Sequence, residues 1–144
     1  MQSEIASSAW SALLALQRAA HASMHALAGR LAGLNLTASE INVLGNLADG
    51  RPETVSELAA AAGTPASTLT SVLDRLDRRG HITRGHPPAD RRAVRVELTP
   101  AGRRAANTIR HAVTDLEQQV LGSLPADVIA GLRAALDALA EVPA

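Results

Sequence analysis

Cysteine is absent from the 144 residues. That excludes disulfides, thiolate metal sites and thiol-based redox sensing within the chain. Phe and Tyr are absent too, and Trp10 is the only aromatic. The 47% apolar content is therefore almost entirely Ala, Leu, Val and Ile. Small aliphatics bury less area per residue than aromatics, so further burial through oligomerisation is expected. No apolar run approaches the ~20 residues of a membrane span, and the start of the chain lacks a basic-then-apolar signal pattern. A cytoplasmic protein without a membrane partner is expected. Catalytic signatures are missing as well. There is no nucleophile elbow, phosphate-cradling loop or zinc-protease motif, and the acids lie singly along helices. The expectation is that the chain is not an enzyme and needs no cofactor.

Lysine is also absent, so all 14 basic residues are arginine. The net charge is zero, yet the charge is unevenly placed. Ten of the arginines lie between positions 75 and 110, against Asp77, Asp90 and Glu97, a surplus of seven. A concentration of this kind marks a face for a polyanion.

Residues 5–31 repeat Ala, Leu and Met at three- and four-residue steps and predict one long helix, with Gly33 and Asn35 at its end. Thr37 and Glu40 form a capping box for a second helix that Gly50 closes. Pro52 starts a short extended connector. Thr54 and Glu57 form a second capping box and open a third helix to Ala62. Gly63-Thr64-Pro65 is a turn, with Gly63 in the left-handed helix-ending position, Thr64 as N-cap and Pro65 first in the next helix. That fourth helix, residues 65–79, buries Leu69, Val72, Leu73 and Leu76 at i, i+3, i+4, i+7 and turns Ser67, Ser71 and Arg78 outward. Thr68, Thr70, Asp74 and Arg75 flank the outward face. Residues 82–86 and 93–98 predict two strands, the second alternating Val94, Val96 and Leu98 with Arg95 and Glu97. A rigid, polar loop joins them. Thr99-Pro100 caps a fifth helix to about residue 121. A sixth begins at Pro125 with Val128, Ile129, Leu132, Leu136 and Leu139 on one face.

Two helices around a tight turn followed by a basic hairpin make a winged helix-turn-helix, an arrangement suited to double-stranded DNA. Small hydroxyl residues at the start of the fourth helix fit a major groove ~12 Å wide. The candidate DNA contacts are Thr64, Ser67, Thr68, Thr70, Ser71 and Arg75, with Arg84, Arg91 and Arg92 of the hairpin long enough to reach the backbone or minor groove.

The sequence resembles the MarR family of bacterial transcription regulators. The resemblance is carried by LTASEINVLGNLADG (36–50), TVSELAAAAGTPASTLTSVLDRLDRRGHITR (54–84) and PADRRAVRVELTPAGR (88–103). The last stretch is the most specific, matching the family's wing at Asp90, Arg92, Leu98, Thr99 and Gly102. The resemblance implies that Arg92 enters the minor groove and that Asp90 fixes the wing. It implies a mainly α fold with a small β-hairpin, a winged helix-turn-helix at 36–100 within a single domain spanning 1–144, and dimerisation helices at 5–33 and 104–144. A homodimer bound to a pseudo-palindromic operator follows, as a repressor relieved by a small aromatic or apolar ligand. Without Phe or Tyr, the ligand pocket of such a protein would be aliphatic, with His21, Met24, His25 and His111 as its candidate lining. His21 and His25 also have metal-like i, i+4 spacing, with His111 as a third ligand, so a metal-responsive regulator is one alternative. A winged-helix module for protein–protein contact without DNA binding is the other.

Overall fold

The structure, a computed structural model, describes residues 11–49, 53–85 and 93–143. Its helices are α1 (Ala12–Arg30), α2 (Ala38–Asn46), α3 (Val55–Ala62), α4 (Ala66–Arg78), α5 (Pro100–Leu121) and α6 (Ala126–Ala140), and its strands are β1 (Glu53–Thr54), β2 (Ile82–Gly85) and β3 (Arg95–Leu98). The chain divides into two compact units, the first ending at Ala112 and the second beginning at Val113, within α5.

Local chemistry explains most boundaries. Both expected capping boxes are formed: the Thr37 and Thr54 hydroxyls accept the Glu40 and Glu57 amides, and the glutamates reach back to the cap amides. α3 ends where Gly63 takes φ +63, and the Thr64 amide donates to the Ala59 carbonyl at 3.1 Å. The Asn42 side-chain amide donates to the last carbonyl of α3, Ala62, at 2.8 Å and ties α2 to the turn. α1 passes into a short 3-10 turn at Ala32–Leu34, which Asn35 ends at φ 56.

Three expected boundaries are corrected. α2 stops at Asn46, before Gly50, because the Asn46 side chain folds back onto Asn42 and the chain turns over 47–49. α4 begins one residue later than expected. Pro65, with ψ 145, is the extended cap residue, and the Thr64 hydroxyl donates to the Ala62 carbonyl at 3.3 Å instead of capping α4. Pro125 is likewise the residue before α6. The expected start of the first helix at Ile5 and the hairpin loop lie outside the described residues.

The extended connector is a third strand. β1 pairs antiparallel with β3, Glu53 opposite Val96, and β3 pairs with β2, Ile82 opposite Leu98, in the order β1-β3-β2. The core of the first unit is aliphatic, with Ile41, Leu44, Leu58, Leu69, Leu73, Leu76, Ile82 and Ile109 among its fully buried side chains. The four apolar residues expected on α4 are all buried, as the 3.6-residue period requires. The second unit is different: α6 buries no residue, and Val128, Leu132, Leu136 and Leu139 lie exposed along it.

Candidate nucleic-acid interface

α4 sorts its residues cleanly. Leu69, Val72, Leu73 and Leu76 face the core, while Ser67, Thr68, Thr70, Ser71 and Arg78 are exposed. The Thr70 hydroxyl donates to the Ala66 carbonyl at 3.0 Å, which leaves its lone pairs outward as acceptors. A helix held by one buried stripe and showing short hydroxyl side chains on the other side can approach a phosphate-lined groove closely.

Charged groups hold α4 from two sides. On one side lies Glu40, only 3% exposed although it carries a carboxylate. Its Oε1 accepts the Thr37 amide at 3.1 Å and lies 3.9 Å from Arg75 Nε, and its Oε2 lies 3.6 Å from Arg79 Nη1. Arg79 also donates to the Asn35 carbonyl at 2.7 Å and to the Leu34 carbonyl at 3.3 Å, which binds the end of α4 to the turn after α1. Burying a carboxyl group is costly unless such partners surround it. His81 completes this side. Burial lowers its pKa below the ordinary 6.5, the Arg79 charge adds to that effect, and Glu40 opposes it.

On the other side Arg84 reaches from β2 across α4. Its Nη1 donates to Asp74 Oδ1 at 2.7 Å, its Nε to Asp77 Oδ2 at 3.1 Å, and its Nη2 lies 3.0 Å from the same Oδ2. The hydrogen bond to Asp74 leads the interactions that raise its pKa. Of the arginines expected to reach DNA, Arg84 thus has its guanidinium engaged by carboxylates of α4, and Arg75 has its Nε beside Glu40.

The neck of the wing is fixed by backbone contacts. The Thr99 hydroxyl donates to the Gly80 carbonyl at 2.6 Å and accepts the Gly102 amide at 3.0 Å. A Cβ on Gly102 would overlap the His81 carbonyl oxygen, so only glycine lets α5 come this close. Asp90, Arg91 and Arg92, the expected wing tip, lie outside the described residues.

The expected ligand residues are spread along two helices. His21, His25 and His111 are exposed and Met24 is half-buried. None of them lines the cleft of about 500 Å³ that opens between α3, α4 and the sheet, where Thr54, Thr70, Leu73 and Arg84 meet. Among the described residues no three His, Asp or Glu side chains gather to hold a metal ion. Sequence reasoning placed Glu40 only as a cap and left Asp74 and Asp77 without a role. The signal for the aspartates was their i, i+3 spacing on a helix otherwise suited to a polyanion.

Known proteins share the fold. The MarR family model matches residues 34–93. The multiple antibiotic resistance protein MarR of Escherichia coli (strain K12) is 33% identical over 103 residues, 71% of this chain and 72% of that protein. NadR in its crystal structure with 4-hydroxyphenylacetate aligns with a TM-score of 0.83 at 25% identity, covering 94% of this chain and 97% of that one. BpsR of Bordetella bronchiseptica, from a structure describing the regulation of its DNA binding by 6-hydroxynicotinic acid, aligns with a TM-score of 0.76 at 25% identity over 92% and 94% of the two chains. The winged helix-turn-helix anticipated from the capping boxes, the turn and the basic hairpin is therefore confirmed by both sequence and fold, and the chain belongs to the MarR family of transcriptional regulators.

Proposed function

We propose that the protein is a homodimeric repressor that binds a pseudo-palindromic operator and releases it when a small aromatic or apolar ligand binds. The observation that carries this reading is α4, with its apolar stripe buried and Ser67, Thr68, Thr70 and Ser71 exposed beside the winged sheet. In this reading the start of α4, with Thr64 behind it, lies in the major groove, and Arg75 contacts phosphate or a guanine edge. Arg91 and Arg92 reach the minor groove, and Asp90 holds the wing tip. A phenolic and a heteroaromatic acid are named with the two structural neighbours, which supports an aromatic acid as the ligand class. Such a ligand acts by population shift: it binds the dimer form whose recognition helices no longer match the two half-sites.

The test is a titration of duplex DNA from the intergenic region beside the protein's own gene. Binding is expected to weaken steeply with salt, because phosphate neutralisation releases counterions. Arg92→Ala is expected to weaken it by about fivefold or more, since a direct contact of this kind contributes about 1–3 kcal/mol. A salt-independent interaction, or an Arg92→Ala variant that binds as wild type does, would refute the assignment. Adding 4-hydroxyphenylacetate or a related acid to the same titration tests the ligand.

A further inference from the structure

α4 carries two acids on the flank of the face proposed to meet DNA. Asp74 lies i+3 from Ser71 and i+4 from Thr70, and Asp77 follows one turn later. Their side chains are half exposed, at 50% and 43%. Bare carboxylates here would face the phosphates of any duplex seated on α4, and like charges brought together oppose association. The fold places Arg84 over both. One planar guanidinium spans them with donors at 2.7 Å to Asp74 and 3.1 Å to Asp77, a geometry that suits arginine and that lysine, a point donor, does not reproduce.

We infer that Arg84 is a charge mask: it offsets the two carboxylates of the recognition helix, leaving one net negative charge in place of two, and locks β2 against α4, and it makes no contact with DNA itself. The inference rests on the reading of α4 as the DNA-facing helix. It divides the arginines of the basic stretch by role. Arg84 is a positioning residue whose effect on DNA acts through Asp74 and Asp77, whereas Arg91 and Arg92 act directly. It also makes the mask the point at which the wing and the recognition helix share a charge balance. The triad carries one net negative charge with Arg84 present, two without it, and none once Arg84 and both acids are all neutralised.

The experiment is an anisotropy titration of the same intergenic duplex with wild type, Arg84→Gln, and the triple variant Arg84→Gln, Asp74→Asn, Asp77→Asn. Glutamine removes the charge and, being shorter with a single amide, also the span across both acids. The triple variant therefore separates the two roles: a purely structural brace stays lost in it, whereas a charge mask is no longer needed. Arg84→Gln is expected to bind about tenfold more weakly, with a melting temperature that shows the fold is kept. The triple variant is expected to recover wild-type affinity to within about threefold, and its slope of log affinity against log salt is expected to match wild type, because no phosphate contact has been lost. A triple variant as weak as Arg84→Gln, with a slope shallower by about one, would mean that Arg84 touches phosphate and would overturn the mask. An Arg84→Gln variant that binds as wild type does overturns it equally. If wild type fails to bind DNA, the DNA-facing reading of α4 falls and the inference falls with it.

Discussion

Gly102 shows how one atom governs the wing. Its missing Cβ lets the first turn of α5 lie on the His81 carbonyl, while the Thr99 hydroxyl bridges the Gly80 carbonyl and the Gly102 amide. The obstacle to a methyl group is backbone, which cannot rotate aside as a flexible side chain can. Gly102→Ala is therefore expected to destabilise the fold by about 1–3 kcal/mol, the usual range for overpacking, although alanine is the better helix former at an unconstrained position. Thermal denaturation followed by circular dichroism measures this. An alanine variant as stable as wild type would show that α5 does not need this approach to His81. Glu40 makes a similar point with charge. Its carboxylate is buried and shared among the Thr37 amide, Arg75 and Arg79, so one side chain caps α2 and orients α4.

At the level of elements, helix starts here depend on short polar motifs. Thr54 both caps α3 and lowers the pKa of Glu57, first through its hydroxyl and then through its amide. A carboxyl whose folded pKa is depressed adds stability above its ordinary value, and that stability is lost as pH falls through the folded value. Thr54→Ala is expected to lower the melting temperature by a few degrees at pH 7, and by less at a pH below the ordinary carboxylate range. A penalty that is equal at both pH values would remove Glu57 from the account. Motifs of this kind made much of the fold legible in the sequence. The two capping boxes, Gly63, and the Leu69, Val72, Leu73 and Leu76 period depend on neighbours within four residues, and the structure forms them as expected. Features set by distant neighbours were not legible. β1 is two residues long, too short to alternate, and exists because β3 pairs with it. Glu40 is a capping residue that α4 happens to cover. Arg84 reads as one more free arginine until the chain turn brings Asp77 and Asp74, seven and ten positions earlier, beneath it.

The whole molecule raises the question of what covers α6. Val128, Leu132, Leu136 and Leu139 follow four-, four- and three-residue steps, so they share one face, and each stays at least 38% exposed. An apolar stripe of this length on an aromatic-poor chain supports the proposed dimer, in which the terminal helices of two copies would cover each other. In the proposed dimer, two recognition helices about 34 Å apart would read two half-sites, while one helix alone binds only weakly. Leu132→Glu combined with Leu136→Glu is therefore expected to convert a dimer into a chain of 14.9 kDa in light scattering after gel filtration. Affinity for the intergenic duplex is expected to fall with it, at unchanged helix content. Arg133→Gln, on the same helix but off the stripe, is expected to leave both mass and affinity unchanged. Loss of DNA binding by a variant that remains dimeric would break the link between assembly and recognition, and a dimer that survives both glutamates would place the interface away from the α6 stripe.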